Sequence, residues 1–320
     1  MAKYILQRLI VSIPVFIGVT ILVYALYALA PGDPLVSIIG VDNMTNMTAE
    51  QVQAMRHQYG LDQPWYIRYA TWFGKALHGD LGYPMMAKGT VISNLKERIP
   101  PTLFLMGTAF ILAMLIGIPM GVIMALKQYS WLDYALTIFA FANISVPVFF
   151  LGLAMIYVFA LKLNVLPTYG MQTIGSAYSL VDRLKHVIMP ASILAINYAG
   201  IWARYTRASV LEVMRSDYVT VARAKGLRER TVVLRHIMRN ALLPLVTVIS
   251  LTVPSLLGGA VIIETIFQWP GMGMLGYQAT VSRDFPILMG VLLVSALAIL
   301  LSNLFADVLY GVVDPRIRYN

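Results

Sequence analysis

No cysteine occurs anywhere in the 320 residues, which excludes disulfides, thiolate nucleophiles and thiolate-ligated metals. Histidine is nearly as scarce. His57, His78, His186 and His236 are the only four; they lack the short spacings of a metal site and read as scattered polar surface residues. Charge is thin too, with charged residues at 12% against roughly 25% in soluble domains. No G-x-x-x-x-G-K-[ST] occurs, since the nearest Gly-Lys pair, Gly74-Lys75, is followed by Ala76. The chain therefore cannot cradle ATP phosphates in the P-loop manner.

What is abundant is apolar. Hydrophobic residues make up 59%, and six stretches are long enough to span a bilayer at about 1.5 Å per residue. They cover 9–30, 101–126, 134–161, 187–203, 241–263 and 285–306, and none contains Asp, Glu, Lys, Arg or His. An all-α membrane protein with six transmembrane helices is the expected fold class, as one transmembrane domain over 1–320. The first stretch exceeds the 7–15 residues of a signal core and reads as a retained span. An intramembrane enzyme finds no paired carboxylates in the spans, and the serines there have no base partner.

Basic residues set the orientation. Fourteen fall on the side of the N-terminus, against four in the two short loops opposite. By the positive-inside rule both termini are cytoplasmic. The long loop 31–100 is then outside, and 204–240 inside. Nine of the fourteen lie in 204–239, against Glu212, Asp217 and Glu229. The net charge of +9 thus has a topological origin and includes an anchor for anionic headgroups of the membrane lipid. Nucleic acid is not an expected partner, because no groove-reading module accompanies the charge.

The most informative stretch is 216–244, SDYVTVARAKGLRERTVVLRHIMRNALLP. Ser216 is placed to act as an N-cap, and Asp217 suits the positive end of a helix dipole. Tyr218, Val221, Ala222 and Lys225 recur at helical spacing, and Gly226 is able to stop that helix in a left-handed cap. A second helix restarts near Arg230, with Val233, Leu234, Ile237 and Met238 expected on one face. A short helix, a glycine break and a second helix, held just outside a membrane, form a docking shape.

That stretch resembles the cytoplasmic coupling loop of bacterial ABC-importer permeases, most closely the dipeptide/oligopeptide/nickel branch. Anchored on Gly226, Thr220-Val221-Ala222 stands where the general family has Glu-Ala-Ala. His236-Ile237-Met238-Arg239 stands where it has Ile-x-Leu-Pro. The variant DY-x-x-x-ARAKGL followed by RHxxRNALLP is similar to the first permease subunit of peptide importers. The resemblance covers nearly the whole chain. It runs through Ala30-Pro31-Gly32-Asp33-Pro34, Gly60-Leu61-Asp62-Gln63-Pro64, Gly79-Asp80-Leu81-Gly82, Trp131-Leu132-Asp133 and Ser145-Val146-Pro147. It ends with 264–271, ETIFQWPG, and 314–319, DPRIRY.

The resemblance implies a type I ABC importer permease fold with a helical extracytoplasmic loop and a cytoplasmic coupling elbow. It implies a location in the bacterial inner membrane and a second homologous permease. Two ABC ATPase subunits and an extracytoplasmic substrate-binding protein complete the assembly. ATP and Mg belong to the ATPases, and this chain is expected to bind no cofactor or metal and to catalyse nothing. Peptides are the implied cargo, with nickel chelates and oligosaccharides as alternatives. The coupling residues so implied are Ser216, Asp217, Tyr218, Ala222, Arg223, Ala224, Lys225 and Gly226. A secondary transporter is disfavoured because the spans lack ionisable groups, although sodium sites made of backbone carbonyls stay open.

Pro119, Pro147, Pro190, Pro244 and Pro254 sit in or at the ends of spans, where each removes a backbone hydrogen bond. They suit a pathway lined by bent helices, with Asn143, Ser145, Asn197 and Ser255 as candidate lining residues. The sequence 271–276, GMGMLG, fits G-x-G-x-x-G literally but has no βαβ context; its glycines read as sites of close packing. In the outer loop, Thr48-Ala49-Glu50-Gln51 reads as a capping box for a helix ending near Gly60. Pro64 opens another helix through Trp65, Tyr69, Trp72, Phe73 and Leu77 to a stop at Gly79, an interfacial helix with an aromatic belt.

Overall fold

The structure, a computed structural model, describes residues 2–29, 35–36, 44–257 and 260–313. The sequence motifs at 30–34 and 314–319 lie outside the described residues. Every regular element among the described residues is helical. In chain order these are α1 (Ala2–Leu29), α2 (Ala49–Gln58), α3 (Trp65–Leu77), α4 (Val91–Leu126) and α5 (Trp131–Ser145). Next come α6 (Val148–Met155), widened into a π-helical end at Ile156–Lys162, and α7 (Leu180–Met214). The elbow holds α8 (Asp217–Ala224) and α9 (Glu229–Thr231), which runs through π-helical Val232–Ile237 into α10 (Met238–Leu257). The chain closes with α11 (Val261–Ile266), α12 (Met272–Val281) and α13 (Phe285–Val313).

Local chemistry explains the boundaries. Thr48 caps α2, its Oγ1 accepting from Gln51 N at 3.3 Å while Gln51 Oε1 accepts from Thr48 N at 2.9 Å. Gly60 just beyond it has φ +65°, so both halves of the expected capping box and the stop are present. Thr90 and Ser93 cap α4 in the same reciprocal way. Pro64 occupies the N-cap position of α3, and Gly79 past its end has φ +80°.

The core is the crossing of α4 and α7, 36 and 35 residues long. It depends on small residues. A Cβ built on Gly117 would lie 2.8 Å from Ala199 O, and one on Gly121 would strike Ala203 O and the Thr206 side chain. Gly117 and Gly121 are one turn apart, as are Ala199 and Ala203, so two small-residue ridges let the backbones touch, as membrane helices do. On an adjoining face of α7, Gly200 meets Ala140 of α5. Helix α10 packs against α7 and α13, and α1 covers α13 at the edge.

Ile10–Leu29, Val91–Leu126, Leu180–Met214 and Phe285–Ala306 are each long and apolar enough to cross a membrane. Trp131–Asn143 and Val148–Lys162 are long and apolar enough only when taken together, across a bend of 102°, and α10 adds a further helix of 20 residues. Two expected spans therefore need correction. The stretch 134–161 is not one straight helix: Val146 is extended at ψ 123° and Pro147 heads the new helix, because proline disfavours helical geometry in the residue before it. The stretch 241–263 is likewise divided, since α10 ends at Leu257 and Ala260 is non-helical at ψ 74° before α11 begins. By contrast, α4 and α7 run unbroken through Pro119 and Pro190.

Candidate functional site

The elbow leaves the end of α7 at Arg215 and returns to the bundle at α10. Ser216 holds the N-cap position of α8 with extended backbone, but its hydroxyl does not cap. It donates backwards to Val213 O at 2.6 Å. That corrects the expected side-chain cap: the hydroxyl closes the last turn of α7, while the Ser216 carbonyl accepts from Val219 N at 3.1 Å and Thr220 N at 3.3 Å. Asp217, exposed in the first turn, complements the helix dipole.

Gly226 fulfils its expected role. Its φ is +75°, its N–H donates to Arg223 O at 2.9 Å, and Leu227 N–H donates to Ala222 O at 3.4 Å. These two bonds form a Schellman motif. Across the turn, Arg223 Nη2 donates to Glu229 Oε1 at 2.6 Å and Arg223 Nε to Glu229 Oε2 at 3.2 Å. The Arg223 guanidinium holds the Glu229 carboxyl below the usual carboxylate range, and the carboxylate raises Arg223 in turn. Both groups are substantially exposed, so the pair adds less than about 1 kcal/mol. Burial matters more. Val219, Ala222, Val232, Val233 and Ile237 pack with Val210 of α7 and Ala125 of α4, and each fully buried large side chain contributes roughly 1.5–3 kcal/mol.

This packing divides both sets of residues that share helical spacing. Val219 and Ala222 face the bundle, whereas Tyr218 is 43% exposed, and Val221 and Lys225 also face outwards. Beyond the turn, Val232 joins Val233 and Ile237 inside while Leu234 is 60% exposed. Leu234 is expected to share a face with Val233, Ile237 and Met238; the wider π turn over Val232–Ile237 changes the helical phase and parts it from them. Tyr218, Val221, Leu227 and Leu234 thus present apolar surface among Arg223, Lys225 and Arg228. Two ties stiffen the base: Asn240 Nδ2 donates to Tyr218 Oη at 2.9 Å, and buried Ser209 Oγ to Ala241 O at 2.8 Å. Ala224 closes α8.

The described candidate pathway residues each bond to their own helix. Asn143 Nδ2 donates to Phe139 O at 2.9 Å, Ser145 Oγ to Phe141 O at 3.4 Å, and Asn197 Nδ2 to Ile193 O at 3.2 Å. Each satisfies itself on its own preceding turn. Asn143 and Ser145 both lie just before the bend at Val146, and Asn197 lies one turn before the Gly200 contact with α5. The side chain of Ser255 lies outside the described residues.

Beyond the elbow, the sequence reading missed the role of Glu264. This residue is fully buried. Its Oε1 accepts from Thr102 Oγ1 of α4 at 2.9 Å, and its Oε2 from Met274 N at 2.9 Å. Thr102 Oγ1 also accepts from Met272 N at 2.8 Å. A Cβ on Gly271 would strike the carboxylate, and one on Gly273 would lie 2.9 Å from Val261 Cα. The glycines of 271–276 therefore admit a buried acid beneath the first turn of α12, and Trp269 Nε1 seals the knot on Pro101 O at 2.9 Å. Burial pushes the Glu264 carboxyl up, opposed by the bonds from Met274 and Thr102. Its neighbours ETIF and PG were visible in the sequence; its partner 162 residues away was not.

His186 also departs from its surface reading. It is 6% exposed, and its Nδ1 faces the carbonyls of Tyr169 and Gly170 at 3.0 and 3.1 Å, so this nitrogen carries the proton and pins the loop before α7.

Comparison with known proteins gives two matching families. The "Binding-protein-dependent transport system inner membrane component" family matches residues 117–319, and its N-terminal companion matches residues 1–106. The chain is 42% identical to the oligopeptide transport system permease protein AppB of Bacillus subtilis, covering all of both chains. It is 40% identical to a putative peptide permease protein of Brucella suis over 99% of both. It is 37% identical to the glutathione transport system permease protein GsiC of Escherichia coli K12, again over all of both. Among solved structures, an inward-facing MetNI methionine ABC transporter chain aligns with a TM-score of 0.55 at 18% identity. The alignment covers 69% of this chain and 96% of that one. That likeness shows a shared fold.

Proposed function

The chain belongs to the family of binding-protein-dependent transport system inner membrane components, and from that membership we propose that it is one permease of an ATP-driven peptide importer. With a second homologous permease it lines the route by which di- and oligopeptides, delivered by an extracytoplasmic binding protein, cross the bacterial inner membrane. The named relatives that carry peptides or glutathione support the cargo. The assembly also contains two ATPase subunits, which hold the ATP and Mg. This chain carries no P-loop and hydrolyses nothing itself. Both termini and the elbow face the cytoplasm.

One observation carries the coupling role: a Schellman-capped helix with its anchor buried and its opposite face apolar and cationic. A charged anchor for headgroups needs no such shaped, glycine-stopped surface. The face of Tyr218, Val221 and Lys225 is the contact with the ATPase, and Val219 and Ala222 transmit its movement to α4 and α7. Closure of the ATPases pulls on α8, and the short anchor passes the displacement to the α4/α7 crossing.

Gly226 tests this. Space around it is open, with nothing within 4 Å of a built Cβ, so only its positive φ resists substitution. A β-branched residue there costs about 1–3 kcal/mol or carries α8 onward and re-aims it. Gly226→Val is expected to insert normally and to pair with the second permease. In reconstituted vesicles it loses stimulation of ATP hydrolysis by loaded binding protein. Gly226→Asn, which tolerates the left-handed region, retains most of it. Wild-type transport by the Val variant would refute the coupling role.

A further inference from the structure

Beside the outer ends of α1 and α13 lies a cavity of about 460 Å³, within the usual size of a small-ligand site, that the transport reading does not use. One wall is a single face of α3: Arg68, Thr71, Trp72 and Lys75, at spacings of three, four and seven residues. The facing wall is aromatic, with Tyr24 and Tyr27 of α1 and Phe285 of α13. These rings are locked together: Tyr24 stands 5.9 Å from Trp72 and Tyr27 3.9 Å from Phe285. Thr20 Oγ1 and Tyr69 Oη, 2.9 Å apart, tie α3 to α1 below them. The cavity is therefore preformed.

Its charges are unspent. Arg68 Nε is shut off from solvent and has no hydrogen-bond partner. Neither Arg68 nor Lys75 forms an ion pair among the described residues. Asp80, the acid on the wall, accepts from Gly82 N at 2.9 Å. Arg68 and Lys75 stem from one helix face two turns apart, and their long side chains, over a mainly apolar floor, fit one anionic group with a hydrocarbon tail. The tail has a track to follow, because α1 exposes Val19, Leu22 and Leu26 along the span below.

We propose that this cavity is a binding site for an anionic phospholipid, its phosphate held by Arg68 and Lys75 and its acyl chain laid against Tyr24, Trp72 and Phe285. The site needs only that the chain lies in a membrane, so it stands apart from the transport reading. A polar peptide is a poor occupant, since its backbone amides would face aromatic rings without partners.

The purified full chain in detergent is titrated with phosphatidylglycerol, with phosphatidylcholine and with inorganic phosphate, and bound molecules are counted by native mass spectrometry. The wild type is expected to hold one phosphatidylglycerol about tenfold more tightly than phosphatidylcholine, whose choline meets the two cations. Arg68→Gln with Lys75→Gln is expected to erase that preference, Arg68→Lys to keep most of it, and Lys88→Gln, elsewhere on the same loop, to leave it intact. Equal retention of the two lipids by the wild type, or an undiminished preference in the double variant, overturns the proposal. Displacement of the lipid by millimolar phosphate also overturns it, by making the site one for a free anion. Circular dichroism of the double variant separates loss of the site from loss of the fold. An unfolded double variant passes the decision to Arg68→Gln alone.

Discussion

At the scale of a residue, Glu264 is the clearest case of a side chain whose work depends on where it is buried. Its carboxyl is raised above the usual 4.5 by desolvation. A raised acid binds its proton more tightly in the folded chain than in the unfolded one. The stability this contributes is complete below about pH 4.5 and is lost as pH rises through the folded value. Glu264→Gln removes the titration while keeping the shape. The variant is therefore expected to gain on the wild type in thermal unfolding in detergent as pH is raised from about 4.5 to 8. A Tm difference that stays constant across that range would mean that Glu264 does not titrate anomalously. Ser216 gives the opposite lesson, since it holds a capping position but spends its hydroxyl on the preceding helix.

At the scale of an element, the α4/α7 crossing bears the load of the bundle and the elbow hangs from it. Ala125, near the end of α4, and Val210 of α7 both belong to the cluster that seats Val219 and Ala222. A methyl group at Gly121 would meet the Ala203 carbonyl and Thr206, neither of which can retreat cheaply. Gly121→Ala is expected to destabilise by about 1–3 kcal/mol, as overpacked cores do. Gly18→Ala in α1, where nothing lies within 4 Å, is expected to be neutral or slightly stabilising. Thermal unfolding of the two side by side decides it, and identical melting would show that the helices do not rely on that close approach. Gly121→Ala should also loosen the seat of the elbow, so ATPase stimulation is expected to fall with Tm.

At the scale of the whole molecule, topology is the quantity to measure. With no native cysteine, single introduced thiols report without background. Thr45→Cys in the loop 31–100 and Ser176→Cys in the loop before α7, both exposed, are expected to react with an impermeant maleimide added outside intact cells. Thr220→Cys on the exposed face of α8 is expected to react only after the membrane is opened. The reverse pattern would place the elbow outside and remove it from any cytoplasmic ATPase. The chain alone is also expected to show no photolabelling by azido-ATP, because it lacks a phosphate-cradling loop.

Local signals carried far in this chain. Long apolar runs placed the helices, since a bilayer demands about 20 apolar residues wherever it is crossed. Thr48 with Gln51 and the glycines at 60, 79 and 226 marked helix ends, because capping and positive φ are settled within a few residues. Full-length similarity named the family. Tertiary structure alone decided which side of each element is covered. It turned Val219 inward and Tyr218 outward, and put Leu234 outside on the π turn at Val232–Ile237. It bent the 134–161 stretch at Pro147 and divided 241–263. It buried His186 and Glu264 and brought Gly117 against Ala199, although G-x-x-x-G spacing was there to be read. Such pairings join residues separated by 16 to 162 positions, and contacts over that range leave no period in the sequence.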